Sequence, residues 1–147
     1  MTKIEDLEWF CPQPFMNTLV YRTVAPQPCC VLKEWPKESI KRKYRTTDPK
    51  ELHNKDEYAD FRNEFLNGSG PLTQKYCQVC VEQEKHSSQS HRQIYLEKFT
   101  HENGEYHEHL ETLEKYINTD MSEPNLLTIE YVAPSNFCNL RCNMCGP

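Results

Sequence analysis

The chain is poor in glycine, with only four among 147 residues, against ten prolines. No Gly-rich phosphate loop and no serine-nucleophile signature can be found in it. The prolines instead imply many irregular connections. Long hydrophobic runs are also missing. No stretch approaches the ~20 apolar residues that span a bilayer, so no transmembrane helix is expected. Met1 to Trp9 carries acidic residues and no hydrophobic segment, so no secretion signal is expected there. Nor is there an excess of positive charge: 17 Lys and Arg face 22 Asp and Glu, for a net charge of −5. The one basic run, Lys41-Arg42-Lys43-Tyr44-Arg45, is short and flanked by acids, which suits a solvated surface better than a nucleic-acid contact. Internal repeats and low-complexity segments are lacking. Hydrophobic residues make up 37% and charged residues 27%, so a modest core is expected, with a cofactor contributing to folding.

What the chain does have is cysteine. Eight cysteines without a secretion signal point to a reducing cytoplasm, and to metal or cluster ligation rather than disulfides. Three of them form the run Cys138-Asn-Leu-Arg-Cys142-Asn-Met-Cys145. Three thiolates this close can hold three irons of a cubane cluster and leave the fourth open to a small molecule. A zinc site usually wants four ligands in two pairs, and no histidine lies near this run. The other five are Cys11, the pair Cys29-Cys30, and Cys77-x2-Cys80.

Periodicity places these cysteines among a few elements. Met16 to Val24 is rich in β-formers, and Cys29-Cys30-Val31-Leu32 would begin a partner strand, giving an N-terminal hairpin that brings Cys11 and the Cys29-Cys30 pair to one end. Residues 33–50 show no clear period and are read as loop. Tyr58, Phe61, Phe65 and Leu66 mark one apolar face of a helix over 55–67. The segment Gly68-Ser69-Gly70-Pro71 breaks the chain before Cys77. Residues 81–99 are rich in helix formers, interrupted between Lys85 and Ser90. Tyr106, Leu110, Leu113 and Ile117 predict a helix over 104–117, and residues 126–132 read as the best strand, feeding directly into the three-cysteine run. His107-Glu108-His109 reads as solvated, because residues two apart on a helix face different ways. Trp9 and Trp35 read as packing residues, and Glu84 and Arg92 as a salt bridge or cap near the cysteines.

A strand followed by Cys-x3-Cys-x2-Cys, with Asn139 and Leu140 after the first cysteine, resembles the opening of the radical SAM (S-adenosylmethionine) enzymes. The resemblance implies that Cys138, Cys142 and Cys145 bind a [4Fe-4S] cluster. S-adenosylmethionine would chelate its open iron and be cleaved reductively to a 5′-deoxyadenosyl radical. Met144 stands where the family usually has an aromatic residue against the adenine, and would supply an apolar contact. The pieces Phe10-Cys11-Pro12, Pro28-Cys29-Cys30, Cys77-x2-Cys80-x3-Glu84-Lys85 and Ser90-x-Arg92 resemble the auxiliary-cluster modules called SPASM or twitch, here ahead of the barrel. That likeness implies a second [4Fe-4S] cluster on Cys11, Cys77, Cys80 and one of Cys29 and Cys30, of which Cys29 matches the family position better. Zinc is the alternative occupant, since tetrahedral sulfur suits both. Such modules usually turn their hairpin on a glycine; Val24 stands there instead.

The expected architecture is therefore α+β. An auxiliary-cluster module would occupy 1–100, a linking helix and connection 101–125, and the first strand and cluster loop of a partial (β/α) barrel 126–147. A full eight-fold barrel takes ~250 residues, so the 147-residue chain is expected to be inactive alone, as a truncation or as one half of a split enzyme. The implied partners are S-adenosylmethionine, a ferredoxin- or flavodoxin-type electron donor, and a separate chain carrying the rest of the barrel. The competing expectation is a non-enzymatic metal-binding module.

Overall fold

A computed structural model of the chain describes residues 1–21, 24–123 and 128–132. A short helix α1 (Gln13–Met16) runs into strand β1 (Asn17–Tyr21). Helices α2 (Lys37–Tyr44), α3 (Pro49–Leu52), α4 (Asp56–Leu66), α5 (Pro71–Tyr76), α6 (Gln78–Lys85) and α7 (His91–Thr100) follow. A 3-10 turn at His107–His109 leads into α8 (Leu110–Ile117), and strand β2 (Thr128–Val132) lies last.

The core is built on aromatic residues. Trp35 sits at its centre, with ring centroids 5.3 Å from Tyr58, 5.2 Å from Phe61 and 5.0 Å from Tyr76. Phe61 packs edge-on to Phe65, and Phe65 stacks under Trp9. The expected face of α4 therefore points inward, with Tyr58, Phe61 and Phe65 buried and Leu66 packed against the cluster's edge. On α8, Leu113 and Ile117 are buried as their spacing requires. This helix starts later than its period suggests, because the 3-10 turn takes up its first residues.

Three expectations need correction. Residues 33–50 are not loop, since they hold α2 and α3. Ile40 is the one buried residue of α2, so no apolar period announces the helix. What favours it is charge order: Glu38 lies in the first turn and Lys41, Arg42 and Lys43 in the last, matching the helix dipole. Arg45 then ends it in the left-handed region at φ 54°. For α3 the start signal is Asp48, whose carboxylate accepts the Lys50 N–H at 2.8 Å, with Pro49 at the first position.

The hairpin is the second correction. β1 makes a single antiparallel bridge, Leu19 to Gln27, and residues 29–32 form no strand. Pro26 and Pro28 lack the N–H groups a ladder would need. The Pro26 carbonyl is instead satisfied by Trp35 Nε1 at 3.2 Å and the Tyr58 hydroxyl at 2.7 Å. Third, β1 takes its partner from the C-terminal strand and not from residues 29–32. β2 pairs parallel with β1 in the register Asn17–Thr128 through Tyr21–Val132. Residues 126–127, Cys138, Cys142, Met144 and Cys145 lie outside the described residues. Among the described residues, no helix is long and apolar enough to cross a membrane.

Gly104 turns the chain after α7. A Cβ there would collide with the Lys98 carbonyl, which accepts the Tyr106 N–H at 2.9 Å. Gly104→Ala is expected to cost about 1–3 kcal/mol, read from the urea midpoint. An unchanged midpoint would mean that the turn shifts freely.

Candidate metal centre

Four cysteines from three parts of the chain line one cavity. Cys11 comes from the segment before α1, Cys29 from the chain after the Leu19–Gln27 bridge, Cys77 from the α5–α6 junction, and Cys80 from the first turn of α6. Trp9, Pro14, Phe61 and Phe65 supply much of the apolar wall, and His91 and Arg92 complete the lining. The four are only 5–8% exposed, whereas Cys30 is exposed to solvent. The chain thus turns Cys29 inward beside Cys11 and leaves Cys30 at the mouth. Among the described residues, none of the five is joined in a disulfide.

Local structure explains the Cys77-x2-Cys80 placement. Pro71 opens α5 at its first position, and the Thr73 hydroxyl reaches back to accept the Gly70 N–H at 2.7 Å. The Glu64 carboxylate accepts the N–H groups of Leu72 and Thr73 at 2.9 and 2.7 Å, tying α5 to α4. Cys77 ends α5 through its N–H to the Thr73 carbonyl at 2.8 Å, and α6 begins at once. Two helices meeting at one residue bring both thiols to the same wall. Residues 68–71 are thus more than a break in the chain: Pro71 after Gly70 is a helix-start signal, and it opens α5.

The Glu84–Arg92 pair forms as expected and braces this wall. Arg92 Nε and Nη2 donate to the two Glu84 oxygens at 2.9 and 2.8 Å, and Nη1 donates to the Phe10 carbonyl at 2.9 Å. The Ser90 hydroxyl and Trp9 Nε1 also donate to Glu84, at 2.6 and 3.1 Å. The guanidinium lies 4.9 Å from the centre of the Trp9 ring. Burial pushes the Glu84 carboxyl up, but the hydrogen bonds from Arg92 and Ser90 outweigh it and hold the group below its ordinary value. Through this pair α6, α7 and the segment carrying Cys11 are fixed to one another.

Electrostatics keep the thiols protonated. Burial pushes the Cys11 thiol up to about 12. Burial likewise raises Cys77, with repulsion from Cys11 and Cys80 behind it, and raises Cys80. Cys29 is raised first by its hydrogen bond with Cys30 and then by burial. Arg92 pulls Cys11, Cys77 and Cys80 the other way without prevailing. Four buried thiols that would repel one another as thiolates need a cation among them to ionise, and a metal or cluster supplies it.

A tighter donor group sits at the mouth. The sulfurs of Cys29 and Cys30 and a ring nitrogen of His91 all lie within 4.8 Å of one another. Cys30 Sγ is 3.4 Å from His91 Nε2. His91 carries no motif that marks it as a ligand in the sequence. Its only local signal is Ser90, which caps α7 by accepting the Gln93 N–H at 3.2 Å and so sets His91 in the first turn. Among the described residues, His107 and His109 gather no such group: His107 Nδ1 meets the Phe99 carbonyl at 3.0 Å, and His109 faces Glu108. Comparisons with protein-family models, curated proteins and solved structures find no match to this chain.

Proposed function

We propose that the chain is the N-terminal part of a radical SAM enzyme carrying an auxiliary cluster. Cys11, Cys29, Cys77 and Cys80 would hold a [4Fe-4S] cluster, and Cys138, Cys142 and Cys145 the cluster that binds S-adenosylmethionine, with Met144 as an apolar contact. The observation that supports this is the convergence of four buried cysteines, distant in sequence, on one apolar cavity. The donor set fits: four soft sulfurs, no carboxylate among the lining residues, and aromatic walls that keep water away. When loaded, such a pair of sites supplies one-electron chemistry and reductive cleavage of the sulfonium of S-adenosylmethionine.

The chain's own residues would bind, orient and exclude water. Trp9, Phe61 and Phe65 wall the auxiliary site, and a low-dielectric wall with Arg92 beside it favours retention of a negatively charged iron–sulfur–thiolate unit. The Glu84–Arg92 fork holds α6 and α7 in place around Cys80. A ferredoxin- or flavodoxin-type donor, the remainder of a barrel and a cytoplasmic setting belong to the same proposal.

Reconstitution with iron and sulfide under argon tests it. About eight irons per chain are expected, with the charge-transfer colour and Mössbauer signature of two cubanes. Serine at Cys11, Cys77 and Cys80 should leave about four irons, as should alanine at Cys138, Cys142 and Cys145. One zinc and no iron would instead identify a non-enzymatic structural module.

A further inference from the structure

We propose that Cys29, Cys30 and His91 form a second metal-binding set, taking a thiophilic divalent ion such as zinc at the mouth of the cysteine cavity. Because it shares Cys29 with the buried tetrad, the two sets are filled in alternation. The site itself stands on its own geometry; only the competition with a cluster rests on the function proposed above.

The geometry is that of a single ion. Around tetrahedral zinc, with bonds of about 2.3 Å to sulfur and about 2.0 Å to nitrogen, a sulfur and a nitrogen ligand stand roughly 3.5 Å apart. Cys30 Sγ and His91 Nε2 already stand at 3.4 Å. Cys29 completes the trio inside 4.8 Å, so only small side-chain adjustments bring all three onto one ion. The thiolates around a cubane span a wider tetrahedron, since four irons stand between them. The mouth trio therefore suits one ion, and the tetrad behind it suits a larger body.

The setting supports exchange. His91 is positioned by the first turn of α7, and its ring lies against Tyr95 with centroids 4.8 Å apart. Cys30 is exposed, which leaves a fourth coordination position open to water. Thiolate and neutral imidazole are the forms that ligate a metal, so binding releases protons and affinity falls as pH drops. Cys29 is the buried member, and it cannot serve both sets at once. Zinc caught at the mouth withholds a ligand from the tetrad.

Cobalt(II), which reports tetrahedral thiolate ligation through its visible and charge-transfer bands, is the probe for the full-length chain under argon. In a background carrying Cys77→Ser and Cys80→Ser, with alanine also at Cys138, Cys142 and Cys145 so that the C-terminal trio takes no metal, one cobalt per chain with tetrahedral bands is expected. Adding Cys30→Ser or His91→Gln should weaken its binding by more than about tenfold. Absence of the bands in the first background, or affinity unchanged by both additions, overturns the site. A second measurement keeps the tetrad intact. One zinc equivalent added beforehand should slow iron and sulfide incorporation by at least about fivefold relative to the same form without zinc, and in the Cys30→Ser, His91→Gln form that ratio should fall to about one. Equal inhibition with and without the two substitutions overturns the competition. Failure of every form to take up iron would sink the proposed cluster function, while the cobalt result would still decide the mouth site.

Discussion

Arg92→Ala is expected to destabilise the folded chain by about 3–5 kcal/mol, the range for breaking a buried ion pair from one side. The arginine side chain is 8% exposed and its partner Glu84 19%. Removing it leaves the Glu84 carboxylate half-buried on two donors, Ser90 and Trp9, where it had four bonds. It also strips the Phe10 carbonyl of its donor and removes the cation beneath Trp9. Arg92→Lys keeps the charge but cannot reproduce the two-pronged contact with Glu84 and a third bond to Phe10, so it should recover only part of the loss. The double replacement Glu84→Gln with Arg92→Met should cost less than Arg92→Ala, because no charge is then left buried alone. Urea unfolding of the four forms gives the comparison. A loss below about 1 kcal/mol for Arg92→Ala would show the pair to be an ordinary surface bridge. Cluster loading should suffer too, since Phe10 is the neighbour of Cys11, and α6 carries Cys80.

How far the chain's one-dimensional pattern reached depended on the range of the interaction. The α4 face was legible because Tyr58, Phe61 and Phe65 repeat within a few turns. Glu84 and Arg92 were legible because only a turn between two helices separates them. α2 was hidden because a single inward residue, Ile40, leaves no period to see, and only its charge order betrays it. The β1–β2 pairing was hidden for another reason. A parallel partner can lie anywhere along the chain, and no turn residue marks the choice. The hairpin failed on a point the residues did carry, since Pro26 and Pro28 remove ladder donors. At the site, spacing alone marked Cys77 and Cys80, while the preference for Cys29 over Cys30 came only from the family likeness. It is burial in three dimensions that sets Cys29 with Cys11 and leaves Cys30 beside His91.

Acid should weaken the fold in a window set by His53. Burial first, and the Arg62 guanidinium second, lower its pKa from 6.5 to about 4. Arg62 can only donate, and its Nη1 faces His53 Nδ1 at 3.5 Å, so Nδ1 is the unprotonated nitrogen. The proton sits on Nε2, which donates to the Tyr116 hydroxyl at 2.5 Å. A second proton would have to enter at Nδ1, against the guanidinium. The folded pKa is below the unfolded one, so the unfolded chain binds the proton first. Stability is complete above about pH 6.5, falls as pH drops from there towards 4, and levels below it. The loss by pH 4.5 should be about 2–3 kcal/mol, before the carboxylates held low, Glu84 and Glu57 among them, begin to contribute. Urea midpoints taken at intervals from pH 7 to pH 4.5 trace the slope. His53→Gln lowers stability at pH 7 by removing the bonds to Arg62 and Tyr116, yet it should flatten the slope across this window. A slope that survives the substitution would place the titrating group elsewhere.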